Sequence, residues 1–396
     1  MTTSHTLRLK PGRDKAVRRN HPWIFNGAVA KMPKGCSPGD IIDVTDHKGA
    51  WLARGTCNPS SKLPVRLMTW NPQEDITPEL VAGRLKDAIA RRPDIPARRL
   101  VHMEADGLPG LIVDQYHDVV VIQNSSPLMD RWQQTLVDTL VETLGPKTIY
   151  ERSDKEVRKR EGLTERRGLV WGQEPPQEVE MVEGDGQHQG TLLVDVRAGQ
   201  KTGYFLDQRV NRWLVAAHCQ GKEVLNCFSY TGGFSIAAVQ SGAKLAVNVD
   251  VSADALATAE RMAKLNGLPE GSMVNHRADV FEDLRKRLKE GQRWDVIILD
   301  PPKFARSKGG LDRACRGYKD INMLAMKLLK PGGVLATFSC SGLVTPQLFQ
   351  SVVAGAAVDA RRQARILQKL SQPLDHPILL SFPEAEYLKG LICRVD

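Results

Sequence analysis

From about residue 190 to the end of the chain, short apolar runs alternate with segments in which apolar residues recur at helical spacing. The short runs predict buried strands, and the helical spacing predicts amphipathic helices. Their alternation is typical of a doubly wound α/β sheet, in which ligands bind at the carboxyl ends of the strands. The predicted strands are 224–226, 245–250, 295–299, 334–339 and 387–395, and the predicted helices are 234–240, 253–266, 319–329 and 345–361.

The beginning of the chain has a different pattern, because Gly, Pro and Asn interrupt its short apolar segments. This pattern predicts a small β-rich barrel. The middle of the chain is mixed, with predicted helices at 78–92 and 129–144 and a predicted strand pair at 111–113 and 119–123. We therefore expect three domains. They are a β-rich barrel at 1–76, a small central α/β domain at 77–185 and the doubly wound α/β domain at 186–396.

The composition is that of a soluble globular protein, with 41% hydrophobic and 26% charged residues in a chain of 396. The start, Met1–His5, is polar, and no apolar run approaches the roughly 20 residues of a membrane span. We therefore expect a cytoplasmic protein. Lys and Arg number 55 against 46 Asp and Glu, a net charge of +9. Such an excess suits a polyanionic partner, because neutralised phosphates release counterions, but charge alone does not decide for nucleic acid.

The seven cysteines are scattered, odd in number and without a CxxC pair. This argues against a disulfide framework, a zinc ribbon or an iron–sulfur cluster, and we expect no metal site. Most of them are predicted to be small buried hydrophobic residues, so a functional role for any one must come from its surroundings. They are Cys36, Cys57, Cys219, Cys227, Cys315, Cys340 and Cys393.

Two segments are rich in basic residues. Near the N-terminus, a basic stretch precedes Trp23 and Phe25, an arrangement that suits an RNA backbone with a stacked base. A solvated loop followed by core aromatics is the alternative. The segment 152–167 is either a second RNA-facing surface or a solvated charged face. The N-terminal cations are Lys10, Arg13, Lys15, Arg18 and Arg19.

A glycine-containing loop follows the first predicted strand of the last domain and precedes a helix. It contains Thr231, Gly232 and Gly233, and glycines there let the backbone approach a bound cofactor. The loop is not GxGxxG, so a dinucleotide is a poor fit. Asp250 ends the predicted strand 245–250, where a carboxylate accepts hydrogen bonds from ribose. Asp279 ends a further strand, which follows that one along the chain, and is expected within reach of an adenine amino group. A helix cap is the alternative for Asp250.

Over residues 190–396 the chain resembles the class I S-adenosylmethionine-dependent methyltransferases. The glycine loop, Asp250, Asp279 and the Asp300–Pro302 turn match that family's motifs in order. The resemblance implies S-adenosylmethionine as cofactor. The segment 201–209 resembles the lead-in of an RNA-modifying subgroup, and Arg209 is expected to pair with the cofactor carboxylate or, alternatively, with an acid of the protein. The expected cofactor-binding residues are Arg209, Phe228, Thr231, Gly232, Gly233, Asp250 and Asp279.

Cys340 follows the predicted strand 334–339, in the sequence Ser339-Cys340-Ser341-Gly342. Carbon-5 of a pyrimidine is a poor nucleophile until a thiolate adds to carbon-6, so carbon-5 methylation needs a cysteine beside the cofactor. Asp300 is expected to hold nitrogen-3 and the exocyclic amine of the base. Lys303 stands where methyltransferases of exocyclic amines carry an aromatic residue, which disfavours amine methylation.

Along its whole length the chain resembles the RlmI-type large-subunit ribosomal RNA cytosine-5 methyltransferases. The segments 106–114, 203–209, 300–304 and 339–342 carry this resemblance. It implies an N-terminal PUA domain that binds 23S ribosomal RNA, a small central domain and a catalytic domain in which Cys340 is the nucleophile. Lys303 sits about where related enzymes carry a second cysteine, which leaves the group that assists product release open. The expected RNA contacts are Lys10, Arg13, Arg18, Arg19 and Lys303.

Three other functions remain open at this stage. One is methylation of uridine at carbon-5 or of guanine on the same scaffold, and a guanine enzyme would not need Cys340. Another is a non-catalytic ribosome-assembly factor that binds RNA. A small-molecule methyltransferase is disfavoured by the basic N-terminal domain. Asp375 and His376 either line the base pocket or form a turn. A homodimer is compatible with the sequence but does not follow from it.

Overall fold

The computed structural model describes residues 5–153, 155–305 and 307–396. The polar N-terminal start therefore lies outside the described residues except for His5. The chain forms two compact units. The first unit contains the chain up to Val179 together with Val194–Leu206 and Leu374–Ala385. The second unit consists of Glu180–Leu193, Asp207–Pro373 and Glu386–Asp396.

The first unit begins with a six-stranded sheet in the order β2-β6-β5-β4-β1-β3. Apolar side chains of alternating strand positions form its core, as Leu7, Ile42 and Val65 illustrate. Gly55 is required where β5 and β6 meet, because a Cβ there would lie 2.2 Å from the carbonyl oxygen of Arg66. The elements are β1 (His5–Leu9), α1 (Lys15–Arg18), β2 (Trp23–Ile24), β3 (Val29–Lys31), β4 (Ile41–Thr45), β5 (Trp51–Cys57) and β6 (Val65–Thr69).

The first unit continues with a five-stranded sheet in the order β11-β10-β9-β8-β7. Two helices pack on it, and Leu85 and Leu136 belong to the shared core. The predicted helix at 129–144 is two helices, because Trp132 leaves the helical conformation with φ −107° and ψ 27°. The elements are α2 (Pro78–Ala90), β7 (Ala97–His102), β8 (Leu111–Tyr116), β9 (Val119–Asn124), α3 (Pro127–Arg131), α4 (Gln133–Leu144), β10 (Thr148–Ser153), α5 (Lys155–Arg160) and β11 (Arg166–Gly172).

The second unit has a seven-stranded sheet in the order β16-β15-β14-β17-β18-β20-β19. The first five strands in that order are parallel, and β20 is antiparallel to both of its neighbours. A short hairpin, β12 (Val179–Gly184) and β13 (Gln189–Val194), precedes it. The strands are β14 (Glu223–Cys227), β15 (Leu245–Asp250), β16 (Met273–Arg277), β17 (Trp294–Leu299), β18 (Leu329–Ser339), β19 (Ala364–Ser371) and β20 (Lys389–Val395).

Helices cover both faces of this sheet, so the expected class, α/β with a doubly wound sheet, is confirmed. The helix predicted at 319–329 begins earlier, at Leu311, because Ala314, Tyr318 and Ile321 continue its buried stripe. Strand β19 was not predicted, since most of its residues are exposed. The helices are α6 (Arg209–Ala216), α7 (Gly233–Gln240), α8 (Ala253–Leu265), α9 (Val280–Lys289), α10 (Leu311–Leu328) and α11 (Pro346–Ala360).

The cysteines differ in part from the expectation. Cys219, Cys227 and Cys393 are free and buried, as the sequence predicts. Cys36 and Cys57 instead form one disulfide within the first unit, a pairing that the sequence analysis did not predict. Among the described residues, none of the helices is both long and apolar enough to cross a bilayer. Nor do those residues contain a cluster of three His, Cys, Asp or Glu side chains suited to a metal ion.

Candidate active site

The strand order of the second unit brings the predicted site residues to one edge of the sheet. Because β14, β15, β16, β17 and β18 are parallel neighbours, their carboxyl ends lie side by side. Cys227 at the end of β14 is level with Val249 of β15 and with Leu299 of β17. The loop after β14, Asp250, Asp279, Asp300 and Cys340 all follow these strand ends.

The loop between β14 and α7 has several residues with positive φ. Phe228 and Tyr230 have φ of 59° and 50°, and Gly232 has φ of 80°. A Cβ on Gly232 would lie 2.9 Å from Asn248 Nδ2, so only glycine fits there without displacing a neighbour. Gly233 is the first residue of α7. The backbone therefore passes closely over β15 and leaves the N-terminus of a helix at the loop.

Two hydroxyl groups of this loop fit a polar ligand. Ser229 Oγ and Thr231 Oγ1 are buried and have no hydrogen-bond partner in the part of the chain that the structure describes. A buried polar atom without a partner costs about 1–3 kcal/mol, and a bound molecule that bonds to it recovers that cost. The loop thus has two buried hydroxyl groups that could bond to a polar part of a cofactor.

Asp250 joins the end of β15 to the glycine loop. Its Oδ2 accepts a hydrogen bond of 2.9 Å from the amide of Tyr230, and its Oδ1 accepts one of 2.9 Å from the amide of Ser252. The alternative of a helix cap was wrong, because the side chain of Ser252 caps α8. Each carboxylate oxygen retains a second lone pair for a ribose hydroxyl.

Asp279 lies two residues beyond the end of β16 and is the N-cap of α9. Its Oδ1 accepts hydrogen bonds from the amides of Phe281 and Glu282, at 2.9 and 3.2 Å. The cap explains the residue type without a ligand, and the exposed side chain remains available to one. Arg209 is half-buried and is the first residue of α6. Its pairing with a cofactor carboxylate stays a prediction.

The turn after β17 is attached to the loop after β18. Asp300 is half-buried, and its amide lies 3.5 Å from the carbonyl oxygen of Cys227. The ring of Phe304 packs 4.7 Å from the ring of Tyr318, and the amide of Ala305 donates to Ser341 Oγ at 3.4 Å. Asp300 and the loop that carries Cys340 are therefore held at the same part of the edge.

Cys340 is half-buried, and the two serines that flank it are buried. Ser339 Oγ donates to the hydroxyl of Tyr318 at 3.0 Å, and the hydroxyls of Tyr318 and Ser341 are 3.2 Å apart. Burial raises the pKa of Tyr318, so its hydroxyl stays protonated at neutral pH. The hydroxyl of Tyr318, on α10, is thus hydrogen-bonded to the serines on both sides of Cys340.

Lys389 is a residue of this site that the sequence analysis missed. It is 4% exposed, and its Nζ donates to the carbonyl oxygens of Ser341 and Val344, both at 2.8 Å. Burial lowers the pKa of Lys389 to about 8, although the nearby charges of Cys340 and Glu386 act in the opposite direction. The available signal was a single lysine at the start of an apolar terminal strand. Since β20 is antiparallel to β18, that start lies opposite Ser339.

The predicted RNA-contacting residues of the first unit are exposed. Arg18 is paired with Asp14 at 2.6 Å and with Asp46 at 2.9 Å. Trp23 is packed: its Nε1 donates to Glu104 Oε1 at 2.8 Å. Phe25 is 51% exposed and is the aromatic residue that remains for stacking. Lys303, in the second unit, is also exposed. The other exposed cations of this prediction are Lys10, Arg13 and Arg19.

Two further candidate regions have structural contacts within the first unit. Arg158, in the basic segment 152–167, is 1% exposed and its Nη2 lies 2.6 Å from Asp130 Oδ2, so it does not belong to a solvated face. Asp375 and His376 are buried, and Asp375 Oδ2 accepts a hydrogen bond of 3.0 Å from the amide of Arg99. These contacts give Arg158 and Asp375 structural roles.

Comparison with known proteins agrees with this geometry. Residues 170–392 match the model of an S-adenosylmethionine-dependent methyltransferase family, and residues 7–70 match that of a PUA-like domain. Two solved structures share the fold over 98% of this chain and 100% of theirs. One is a putative SAM-dependent methyltransferase from Streptococcus mutans, with a TM-score of 0.84 at 19% identity. The other is a putative methyltransferase complexed with SAH, with a TM-score of 0.85 at 20% identity.

Relatives of higher identity match along their whole length. A protein of Aeromonas hydrophila is 47% identical over 99% of both chains, and one of Shewanella denitrificans is 46% identical over 98% of this chain and 99% of its own. Both are named ribosomal RNA large subunit methyltransferase I. The cofactor of this protein is S-adenosylmethionine. The chain belongs to the S-adenosylmethionine-dependent methyltransferase family that these ribosomal RNA large subunit methyltransferase I proteins represent.

Proposed function

We propose that this protein methylates carbon-5 of a cytosine in 23S ribosomal RNA, in the cytoplasm, through a covalent adduct with Cys340. The methylation of ribosomal RNA rests on the relatives' shared name and on identity over nearly the full chain. The choice of carbon-5 rests on one observation. A half-buried cysteine, Cys340, follows β18 at the same edge of the sheet as the glycine loop, and the serines on both sides of it are hydrogen-bonded to Tyr318.

Cys340 would act as the nucleophile. Its thiolate forms a bond to carbon-6 of cytosine, and the electron pair of the carbon-5–carbon-6 double bond moves toward nitrogen-3, which takes a proton. Carbon-5, now an enamine carbon, would take the methyl group with its electron pair, while the sulfur–methyl bond of the sulfonium breaks with its pair staying on sulfur and S-adenosylhomocysteine leaves. Water then takes the carbon-5 proton, the double bond re-forms, the carbon–sulfur bond breaks with its electron pair returning to sulfur, and nitrogen-3 releases its proton.

Asp300 would supply the proton to nitrogen-3 and take it back at the end. Its half-buried carboxyl follows β17, the strand next to the one that leads to Cys340. A carboxyl group within hydrogen-bond reach of the pairing edge of the base holds nitrogen-3 in the protonated form that addition at carbon-6 needs. The link between Ala305 and Ser341 keeps the two segments in register.

The residues of the cofactor site would orient S-adenosylmethionine, whose sulfonium supplies an electrophilic methyl group. Thr231 and the glycine loop fit the methionine part, Asp250 the ribose and Asp279 the adenine. Arg209 would pair with the cofactor carboxylate. The remaining proposed contacts of the cofactor are Phe228, Gly232 and Gly233.

RNA would be held by exposed cations, with the target base flipped out of its stack to reach Cys340. We propose Lys10, Arg13, Arg18 and Arg19 in the first unit and Lys303 in the second as phosphate contacts. Because Asp14 and Asp46 already pair with Arg18, its contribution to RNA affinity should be smaller than that of Arg19.

The test is methylation of 23S ribosomal RNA in vitro, followed by nucleoside mass spectrometry. We expect 5-methylcytidine from the wild-type chain, none from Cys340→Ala, and wild-type yield from the control Cys315→Ala, whose half-buried thiol lies on α10. A methylated guanine, or 5-methyluridine, would contradict the cytosine assignment. A Cys340→Ala chain that still complements a deletion strain would favour a ribosome-assembly factor instead.

A further inference from the structure

Lys389 has no role in the proposed reaction steps. Lysine side chains are seldom fully buried unless they are paired, and this one is 4% exposed in a strand of apolar residues. It occupies the first position of β20 and pairs with Ser339, the residue before Cys340. The antiparallel direction of β20 therefore brings a cation to the edge that otherwise carries the carboxyl ends of parallel strands.

The hydrogen bonds of Lys389 hold the backbone of the loop after Cys340. Its Nζ donates to the carbonyl oxygen of Ser341, the next residue, and to that of Val344, where the loop closes with a hydrogen bond of 3.0 Å between the Val344 amide and the Ser341 carbonyl. An ammonium group has three N–H donors, so these carbonyls use two of them. The contacts fix the loop and keep the positive charge at its inner side.

Charged groups from three neighbouring segments face this ammonium. The charges of Cys340 and of Glu386 raise the pKa of Lys389, whereas burial and Lys303 lower it. The charge of Cys340 also acts on Tyr318, whose pKa is raised chiefly by burial. An electrostatic interaction is reciprocal, so the attraction that favours the charged lysine favours the thiolate of Cys340 by the same energy.

We infer that Lys389 is a positioning residue for Cys340: it fixes the 340–344 loop and its positive charge favours the thiolate that adds to carbon-6. The inference rests on the proposed function and adds to it the group that activates the nucleophile. Lys389 donates to two carbonyl oxygens, and a charged ammonium makes stronger hydrogen bonds to them than a neutral amine does, so these contacts favour the ammonium form. This assignment differs from a role as the base that removes the carbon-5 proton, which would need the neutral amine.

The inference is tested without RNA by alkylation of Cys340 with iodoacetamide, followed by mass spectrometry of its peptide from pH 5 to pH 10. We expect Lys389→Met to slow alkylation at pH 7 about tenfold, the effect of losing one nearby opposite charge, and to move the curve to higher pH. Lys389→Arg should restore part of the rate. The matched control is Lys369→Met, since Lys369 and Lys389 both line a cavity between α11, β19 and β20 but Lys369 is exposed. An unchanged curve for Lys389→Met would overturn the inference.

Folding of the variants is checked by their affinity for S-adenosylmethionine, which should stay within about threefold of wild type. If Lys389→Met does not fold, the wild-type chain carries the test. Its Cys340 alkylation curve should lie at lower pH than that of the same thiol in the urea-unfolded chain, and a curve at the same or higher pH would overturn the inference.

A second assay separates this inference from the proposed function. With 5-fluorocytidine RNA and S-adenosylmethionine, the adduct forms without removal of a carbon-5 proton. We expect Lys389→Met to form the adduct about tenfold more slowly at pH 7, in step with alkylation. Adduct formation at the wild-type rate with loss of turnover on ordinary RNA would assign Lys389 as the base and overturn the positioning role. Absence of any adduct from the wild-type chain would instead overturn the proposed function.

Discussion

Removing one hydroxyl group from Tyr318 should loosen the loop that carries Cys340. In Tyr318→Phe, Ser339 loses a hydrogen bond of 3.0 Å and Ser341 loses one of 3.2 Å, and all three side chains are buried. A buried polar group left without its partner costs about 1–3 kcal/mol. Two other bonds reduce that cost. Ser341 Oγ still accepts from the amide of Ala305, and Ser339 Oγ from that of Ser341. We therefore expect a loss of about 2 kcal/mol in the free energy of opening this loop.

Hydrogen exchange followed by mass spectrometry measures that free energy directly. A change of about 2 kcal/mol corresponds to roughly thirtyfold faster exchange in the peptides that span 339–344, including the amide of Val344 that bonds to Ser341. The control is Tyr150→Phe, a buried tyrosine of β10 whose hydroxyl makes no hydrogen bond to the other described residues. Exchange within twofold of wild type for Tyr318→Phe would show that the hydroxyl of Tyr318 does not stabilise the loop that carries Cys340.

Four further changes test other contacts. Gly232→Ala should weaken S-adenosylmethionine binding at least tenfold in calorimetry, because its Cβ would meet Asn248; Gly221→Ala, with φ of 69° and open space, should not. Arg158→Met should lower the free energy of unfolding in urea by about 2 kcal/mol, because the half-buried carboxylate of Asp130 loses its ion pair with a buried guanidinium and keeps the hydrogen bond from Asn124. Arg19→Ala should leave urea unfolding unchanged and reduce the salt dependence of RNA binding by about one phosphate contact. Burial lowers the pKa of Lys389 from 10.5 to about 8 in the folded protein. Below pH 8 the ammonium form is therefore less favourable in the folded chain than in the unfolded chain, and this penalty is lost as the pH rises from 8 to 10.5. Over that range the free energy of unfolding of the wild type should increase relative to that of Lys389→Met.

The sequence was sufficient for the second unit's sheet because its strands are short apolar runs separated by amphipathic helices. The ends of β14, β15 and β17 agree with the predicted ends to within one residue. Strand β19 escaped prediction because its side chains are mostly exposed, so the apolar pattern that marks a buried strand is missing. Its place in the sheet depends instead on backbone pairing with β20.

The candidate site was only partly accessible from sequence, for a related reason. Residues at the ends of parallel strands are predictable neighbours, which is why Asp250, Asp300 and Cys340 could be expected at one edge of the sheet. Lys389 was missed because its contact with the Cys340 loop depends on β20 running antiparallel to β18, a direction that no local pattern encodes. The burial of Arg158 was not predictable from its charged neighbours, because its partner Asp130 is distant in sequence.

The proposed mechanism requires Cys340 to become covalently bound to a cytosine of 23S ribosomal RNA. This bond can be detected by incubating the full chain with S-adenosylmethionine and 23S ribosomal RNA that contains 5-fluorocytidine, then digesting the product and sequencing the cross-linked peptide by mass spectrometry. We expect a denaturant-stable adduct at Cys340 that carries a methylated 5-fluorocytidine, and its loss in Cys340→Ala. An adduct at another cysteine, or methylated RNA without any adduct, would contradict the proposed mechanism.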